Sequence, residues 1–303
     1  MSNQRTILAV YSHPDDDILG AGGAMALYAD QGVANLGVVN QGVANLGVRV
    51  ELVCATRGEA GEISDAALAT RETLAQVREE ELRCAAETLG IDKVTFLGFR
   101  DSGMADTEDN DHPEALARAP AEAVVSKLVE IIRRVRPDII LTFEPYGGYG
   151  HPDHVAIHHH TLAAYEAAAD GDYRPELGRA WQTPRLFYPV VISDMFEELI
   201  RRLEARGADV SEFKQRMEEG RDQRWPKEKV TVTMDVAATV DRKVAAFHCH
   251  RTQFGADNLF LKLPEDEMKL LLRMEHFYLA RPESTSILLL DDLFAGLGTI
   301  SNP

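Results

Sequence analysis

The chain has 303 residues, of which 45% are hydrophobic, so it is long enough to bury the core of one large domain. Its formal net charge of −17 argues against a nucleic-acid or anionic-membrane partner. No apolar run approaches the ~20 residues of a membrane span, and the N-terminus lacks the pattern of a signal peptide. The sparse, odd set of Cys54, Cys84 and Cys249 predicts reduced thiols in a cytoplasmic protein.

Short apolar runs alternate with helix-like segments through the first half of the chain. The predicted strands span residues 6–10, 48–55, 94–97 and 139–143, and the predicted helices span residues 20–28, 71–89, 122–135 and 155–168. Repeated βα units of this kind form a parallel sheet with helices on both faces. The pattern therefore predicts a Rossmann-like α/β fold, with the ligand site beyond the carboxyl ends of the strands.

The second half of the chain is less regular. The predicted strands span residues 186–193 and 230–236, helices span 195–205 and 210–220, and further segments span 240–250 and 265–279. We interpret residues 1–170 as a catalytic, metal-binding unit and residues 171–303 as a C-terminal α+β extension packed on it. The boundary is soft, and a single domain is also compatible with the pattern.

An exact repeat separates the first predicted helix from the second strand. The octapeptide Gln-Gly-Val-Ala-Asn-Leu-Gly-Val occupies residues 31–38 and recurs at residues 41–48. Two copies at such a short offset do not make a solenoid. Because a helix-to-strand connection runs along the edge opposite the strand carboxyl ends, we expect an inserted loop or hairpin without a catalytic role.

Histidine and carboxylate side chains crowd the end of the first predicted strand. His13, Asp15, Asp16 and Asp17 follow it directly, and clustered carboxylates resist burial unless a cation or donors compensate them. Neighbouring residues at a strand end point to opposite sides. We therefore expect His13 and Asp16 to bind a metal while Asp15 points at the metal-bound water. Helix capping is the alternative, although one cap needs only one aspartate.

A second cluster, His151, Asp153 and His154, follows the fourth predicted strand. The spacing of three between the histidines places both on one face of a helical turn, and His158 lies one turn further on. Surface histidines in a polar loop are the alternative. Together, the two clusters predict one divalent metal held from two strand ends.

Other polar residues follow the remaining strands. The loop at residues 56–61, which contains Arg57, and the segment at residues 100–103, which contains Asp101, are predicted to reach the substrate or to form plain turns. The glycines at residues 20–23 lack the spacing of a dinucleotide-binding fingerprint and are expected to permit close helix–strand packing. Adjacent residues 248–250 cannot converge on one ion, so a soft-metal site there is not expected.

These motifs together resemble the LmbE-like (PIG-L) family of zinc-dependent N-acetylglucosaminyl deacetylases. The matching segments are Ser-His-Pro-Asp-Asp-Asp at residues 12–17, Thr-Arg-Gly-Glu at 56–59, Arg-x-x-Glu-Leu at 78–82, Phe-Arg-Asp-Ser-Gly at 99–103 and Gly-Tyr-Gly-His-Pro-Asp-His at 148–154. They cover about residues 5–165 in the order of the family. Two departures are Asp17, where the family usually has glutamate, and the repeat at residues 31–48.

The resemblance implies a role for each matched residue. It implies Zn²⁺ or Fe²⁺ as the metal, and the residues concerned are His13, Asp16 and His154 as metal ligands, Asp15 as general base, His151 for the oxyanion or the leaving amine, Asp153 as its orienting carboxylate and Arg78 as a substrate contact. We add Arg57 and Asp101 as further candidate substrate contacts.

The resemblance also implies a reaction: removal of an N-acetyl group from a small amino-sugar substrate by metal-activated water. It is closest to the mycothiol-type branch, so an amidase acting on mycothiol conjugates is an alternative. A metal-dependent phosphohydrolase is another alternative, because carboxylate-rich strand ends also bind Mg²⁺. A homo-oligomer is possible, and a nucleic-acid or membrane partner is not expected.

Overall fold

A computed structural model describes residues 4–31, 48–219, 225–284 and 289–298. Its centre is one seven-stranded mixed sheet in the order β3-β2-β1-β4-β5-β7-β6. The strands are β1 (Thr6–Tyr11), β2 (Arg49–Cys54), β3 (Lys93–Phe96), β4 (Ile139–Leu141), β5 (Arg185–Val190), β6 (Val232–Asp235) and β7 (Met274–Arg281). Strands β1 to β5 run parallel, whereas β7 pairs antiparallel with β5 and β6. The predicted α/β fold with a parallel core is confirmed.

Helices cover both faces of this sheet. They are α1 (Asp16–Gln31), α2 (Leu74–Leu89), α3 (Ala121–Val135), the single turn α4 (Gly147–Gly150), α5 (Pro152–Ala169), α6 (Ser193–Glu204), α7 (Ser211–Glu219), α8 (Val240–Cys249) and α9 (Glu265–Leu272). Side chains alternate between the faces along β1, as in any strand. Ile7 packs in the core formed with α1, α2, α8 and α9, and Leu8 packs in the core formed with α3 and α5.

Helix α1 begins earlier than its pattern predicts. It starts at Asp16 rather than at residue 20, so two aspartates occupy its first turn, where negative charge is favourable. The predicted close packing of the glycines is confirmed: a Cβ on Gly20 would lie 2.9 Å from Pro189 Cβ, and one on Gly23 would lie 2.4 Å from Val236 Cγ2. The helix therefore approaches β5 and the segment after β6 only because these positions lack side chains.

The second half of the chain extends the same sheet. Residues 265–279, taken as one segment in the sequence, divide into helix α9 and strand β7, and β7 lies between β5 and β6. The half-exposed pattern predicted for residues 230–236 is confirmed in β6, whose residues alternate between buried and exposed. The assignment of residues 171–303 to a separate extension stays a proposal.

The expectation of reduced cysteines is wrong for one pair. Cys84 in α2 and Cys249 at the end of α8 form a disulfide, while Cys54 is free and buried in β2. The helices α2 and α8 pack side by side, which brings the two cysteines together from 165 positions apart in the sequence. Sequence spacing alone does not reveal such a contact.

Two further predictions, on membrane spans and on the repeat, are compared here with the described residues. Among the described helices, none combines the length and apolar character needed to cross a membrane. The repeat at residues 31–48 lies outside the described residues except for its two end positions, Gln31 and Val48.

Candidate metal centre

The two His/Asp clusters meet at the carboxyl edge of the sheet. Strands β1 and β4 are hydrogen-bonded neighbours, and both end at this edge. The segment after β1 runs directly into α1, while the segment after β4 forms the single turn α4 and then enters α5. The buried side chains of His13, Asp153 and His154 therefore converge, as the sequence predicts.

His13, Asp16 and His154 present ligand atoms to one point. His13 Nδ1 lies 3.1 Å from His154 Nε2. Asp16 Oδ1 lies 3.1 Å from His154 Nε2, and Asp16 Oδ2 lies 3.4 Å from His13 Nδ1. Ligand atoms around a tetrahedral Zn²⁺, with bonds of about 2.0–2.2 Å, lie roughly 3.3–3.6 Å apart. The 3.4 Å contact lies within this range and the two 3.1 Å contacts lie slightly below it, so a small outward movement of the side chains would admit such an ion.

The hydrogen bonds of the two imidazoles determine where their protons lie. His154 Nδ1 is 2.9 Å from the Gly147 carbonyl, so it donates there and leaves a lone pair on Nε2. His13 Nε2 is 3.1 Å from Asp153 Oδ2, so it donates there and leaves a lone pair on Nδ1. Two lone pairs then face each other at the Nδ1–Nε2 contact. This arrangement is repulsive unless a proton or a metal ion lies between them, and the donor set therefore fits a metal ion.

The pKa values in the metal-free protein follow from the same crowding. Burial alone would lower the pKa of His13, but the carboxylates of Asp101, Asp153 and Asp16 raise it well above its usual value. Burial would raise the pKa of Asp16, but the two imidazoles hold it well below its usual value. In both cases a proton on the imidazole supplies the positive charge that the cluster requires.

Asp153 lies against His13 rather than against His151. Its Oδ2 accepts from the Ser102 amide at 2.9 Å, and its Oδ1 accepts from the Ser102 hydroxyl. Asp101 Oδ1 also lies near His13, 3.4 Å from Nε2. A carboxylate on the distal nitrogen of a metal-binding histidine fixes its tautomer and orientation. Asp153 and Asp101 are placed to do this for His13, whereas the resemblance implied that Asp153 orients His151 and Asp101 was expected to contact the substrate.

His151 is a neutral hydrogen-bond donor at the rim of the site. Its Nδ1 accepts from the Asp153 backbone amide at 3.1 Å, so its remaining proton lies on Nε2. Burial, together with the positive charge of His13, lowers the pKa of His151 to about 4. Ring nitrogens of His13, His151 and His154 all lie within 4.8 Å of one another, so His151 is a geometric alternative to Asp16 as a ligand.

Asp15 adopts a backbone conformation that side chains rarely take, with φ of 109°. Such a conformation costs about 1–3 kcal/mol and persists only where its surroundings enforce it. Arg78 does so here, because its Nη2 donates to the Pro14 carbonyl at 2.6 Å and lies 3.3 Å from Asp15 Oδ1. Burial raises the pKa of Asp15 to about 6, although Arg78 opposes this shift. Asp15 is therefore poised to exchange a proton near neutral pH.

Arg78 also ties the loop after β2 to the site. Its Nη1 donates to the Gly58 carbonyl at 2.8 Å, and a Cβ on Gly58 would lie 2.2 Å from that nitrogen. The guanidinium thus fills the space that a side chain at Gly58 would need. Arg57, in the same loop, turns outward and pairs with Glu79 on α2 at 3.0 Å. His158, the predicted neighbour of the metal site, bonds instead to the Phe143 carbonyl at 2.8 Å.

Two residues that the sequence did not single out support the site. Ser102 is fully buried and holds Asp153 through both its amide and its hydroxyl. Glu144 accepts from the amides of Tyr146 at 2.7 Å and Gly148 at 2.6 Å, and so orders the turn α4. Their positions after β3 and β4 were the available signal, since residues at strand carboxyl ends face the common crevice.

Comparison with known proteins assigns this chain to a family. A family model described as GlcNAc-PI de-N-acetylase, PIG-L, matches residues 35–165. A 1D-myo-inositol 2-acetamido-2-deoxy-alpha-D-glucopyranoside deacetylase from Geodermatophilus obscurus is 35% identical over 309 residues, covering 98% of this chain and 99% of the relative. The chain belongs to the PIG-L family. The prediction that it is an enzyme of the deacetylase class is thereby confirmed.

Solved structures share the fold at lower identity. An N,N'-diacetylchitobiose deacetylase from Pyrococcus horikoshii superposes with a TM-score of 0.60 at 19% identity, covering 91% of this chain and 83% of that one. A 4-carboxy-2-hydroxymuconate hydratase from Pseudomonas putida superposes with a TM-score of 0.58 at 21% identity, covering 94% and 100%. Since a hydratase also has this fold, the fold alone does not specify the reaction.

The departure from the PIG-L pattern at Asp17 has a structural counterpart. Asp17 is buried, its Oδ2 has no hydrogen-bond partner within the described part of the chain, and burial raises its pKa to about 7. The Tyr11 hydroxyl is likewise buried without a partner there. Asp17 and Tyr11 thus leave two buried polar atoms without partners in the described part of the chain, close behind the candidate metal centre.

Proposed function

We propose that this PIG-L enzyme binds Zn²⁺, or Fe²⁺ in its place, through His13, Asp16 and His154 and removes the N-acetyl group of an N-acetylglucosaminyl-inositol. The observation that carries the metal assignment is the pair of facing lone pairs on His13 Nδ1 and His154 Nε2 at 3.1 Å. Two imidazoles and one carboxylate suit Zn²⁺ or Fe²⁺ better than Mg²⁺, which prefers oxygen ligands. This donor set disfavours the phosphohydrolase alternative.

The bound metal would supply a Lewis acid that polarises the acetyl carbonyl and lowers the pKa of the attacking water. Asp15 is the general base, because its carboxylate lies beside the ligand cluster and its pKa of about 6 suits proton exchange near neutral pH. Arg78 holds the Asp15 carboxylate in place through the 3.3 Å contact. His151 donates a hydrogen bond from its Nε2–H group to the oxyanion that develops as water attacks, and it keeps its proton.

The proton for the departing amine comes from Asp15 or from His151. Asp15 carries the proton taken from water, and so it can return that proton to the nitrogen. His151 has a pKa of about 4 in the metal-free protein and is therefore neutral near pH 7. We assign the transfer to Asp15, with His151 kept as the oxyanion donor.

The substrate assignment rests on the relatives. Several of them, including the protein from Geodermatophilus obscurus, are named for deacetylation of a glucosaminyl-inositol. We place the sugar between Asp15 and His151, with Asp101 at its edge and Arg57 at the mouth of the crevice. We propose that the enzyme acts in the cytoplasm. The sparse cysteines no longer support that location, because Cys84 and Cys249 form a disulfide and reduced thiols are the rule in the cytoplasm.

The test is a substrate panel with acetate and phosphate release measured separately. The panel contains N-acetylglucosaminyl-inositol, N-acetylglucosamine, N,N'-diacetylchitobiose, a mycothiol conjugate and a phosphomonoester, each with zinc-loaded protein and with Asp15→Asn as the blank. We expect acetate from the inositol glycoside with the highest kcat/KM, and no phosphate. Phosphate release, or faster cleavage of the mycothiol conjugate, would contradict the assignment.

A further inference from the structure

A buried ion pair from the second half of the chain enters the backbone of α1, the helix that carries Asp16. Lys243 of α8 and Glu275 of β7 pair at 2.7 Å, and their side chains are 1% and 0% exposed. Lys243 Nζ donates to the Leu19 carbonyl at 2.9 Å. Glu275 accepts from the amides of Gly23 and Ala24, each at 2.8 Å.

These contacts give side-chain partners to backbone groups inside α1. In an unbroken α-helix, the amide of Gly23 bonds to the carbonyl of Leu19, four residues earlier. In this protein the Leu19 carbonyl accepts a hydrogen bond from the Lys243 ammonium, and the Gly23 amide donates one to the Glu275 carboxylate. The ion pair therefore lies at the junction between the first turn of α1, with Asp16, and the rest of the helix.

Most of the bonds made by this pair are directed at α1. Of its four hydrogen bonds to backbone, three go to Leu19, Gly23 and Ala24, and the fourth goes from Lys243 to the Leu272 carbonyl at 3.2 Å. A Cβ on Gly23 would lie 3.0 Å from Glu275 Oε1, so glycine allows the carboxylate to approach the helix. An ion pair that only joined α8 to β7 would not need these contacts.

We propose that Lys243 and Glu275 are positioning residues that fix the first turn of α1 and thereby place Asp16 against His13 and His154. The inference rests on the proposed function only in taking Asp16 as a metal ligand. Buried ion pairs are often no more stabilising than apolar residues of the same volume. The pair in this enzyme serves to hold the helix that carries a ligand, and the second half of the chain thus contributes to the metal centre without touching it.

The experiment compares Glu275→Gln with Glu51→Gln in the full-length protein. Glu51 is a matched control, because it is 4% exposed and is also paired with basic side chains, here Arg49 and Arg134, but it lies in β2 away from α1. Amide hydrogen exchange of residues 16–24 is measured in the metal-free protein, and the Zn²⁺ dissociation constant is measured by chelator competition. Both are measured well below the unfolding temperature of each variant.

We expect Glu275→Gln to lose exchange protection over residues 16–24 and to bind Zn²⁺ about 10-fold or more weakly, as for other residues that orient metal ligands. Glu51→Gln should lose stability but keep both properties. If Glu275→Gln does not fold, the double variant Lys243→Met with Glu275→Leu leaves no lone buried charge and is measured in the same way.

The proposal is overturned if Glu275→Gln, or the double variant Lys243→Met with Glu275→Leu, keeps wild-type protection and binds Zn²⁺ within twofold of the wild-type protein. It is also overturned if Glu51→Gln weakens Zn²⁺ binding as much, because a general loss of stability would then explain both. Neither readout requires turnover. An enzyme that fails to deacetylate the inositol glycoside would contradict the proposed function and leave this inference standing.

Discussion

Two groups of ionisable side chains, each built around buried residues, lie at opposite edges of the sheet, and they differ in how their atoms are matched. At the amino edge, Glu51 accepts from Arg49 Nη1 at 2.9 Å and from Arg134 Nη2 at 3.2 Å, so donors meet acceptors. At the carboxyl edge, two imidazole nitrogens with lone pairs, on His13 and His154, lie 3.1 Å apart. The first group is complete as it stands, whereas the second requires an added proton or a metal ion.

This difference separates structural charges from chemical ones better than burial does. Glu51 and the two histidines are all almost fully buried, although the arginines that pair with Glu51 are partly exposed, so burial of the central groups would assign them the same importance. A buried ion pair whose bonds are all made contributes to the fold, and it is often replaceable by apolar residues. When two acceptors face each other, their arrangement is stable only with a proton or a metal ion between them. Such a cluster is therefore a candidate binding site.

The largest effect is expected from removing one of the facing acceptors. His154→Ala should abolish metal binding and activity together, because the ion then loses an imidazole ligand. His151→Ala is the matched variant, since that ring also lies within 4.8 Å of the others. Metal content is measured by mass spectrometry after dialysis. Loss of metal from His151→Ala with retention in Asp16→Ala would show that the ligand set is three histidines.

A smaller effect is expected from changing the proton acceptor while the ligands remain. Asp15→Asn should keep stoichiometric metal and lose about 10²–10⁴-fold in kcat, because an amide cannot take the proton of the attacking water. Steady-state kinetics of the zinc-loaded variant provide the measurement. A zinc-loaded Asp15→Asn with nearly wild-type kcat would assign the base to another residue.

Part of this site could be predicted from the sequence because ligands of parallel sheets lie beyond the carboxyl ends of the strands. His13 and His154 were found from their positions after two apolar runs, since parallel neighbours bring their carboxyl ends together. The resemblance implied His151 as the partner of Asp153, whereas the carboxylate lies against His13, because the side that it faces depends on the turn into α5. Local patterns of residue type do not encode that choice.

The second half was less predictable because its contacts are long-range. Strand β7 follows α9 after the single residue Arg273, so one apolar pattern runs across both elements. Its place between β5 and β6 is decided by pairing across the sheet. The disulfide between Cys84 and Cys249 depends on the packing of α2 on α8 in the same way.

A third prediction concerns His250, a buried histidine that has no part in the proposed mechanism. His250 is fully buried, and neither ring nitrogen has a hydrogen-bond partner among the residues described. Burial, aided by the charge of Arg78, lowers its pKa from 6.5 to about 3. Between those values the unfolded chain binds a proton that the native protein does not, so stability is lost as pH falls below about 6.5.

We expect this histidine alone to remove about 2 kcal/mol from the free energy of unfolding between about pH 7 and pH 5. His250→Leu should abolish that part of the pH dependence, and His159→Leu, which changes an exposed histidine, should not. Urea unfolding of the metal-free proteins at both pH values provides the measurement. Equal pH dependence in wild-type protein and His250→Leu would show that the ring is not buried as a neutral group.

The smallest effect is expected at the amino edge, where the repeat joins α1 to β2. Helix α1 ends at Gln31 and β2 begins at Arg49, and both points lie at the opposite end of the sheet from His13. Deleting residues 31–40 joins Asp30 to Gln41, and the second copy then follows the helix with the same eight residues as the first. The helix thus keeps its own C-terminal sequence, and the chain into β2 is shortened by one repeat. We expect kcat/KM and zinc content within twofold of the wild-type values, with any change confined to stability or to the oligomeric state. A folded, zinc-loaded deletion variant with a much lower kcat/KM would show that the repeat reaches the substrate, so that the two edges of the sheet are not functionally separate.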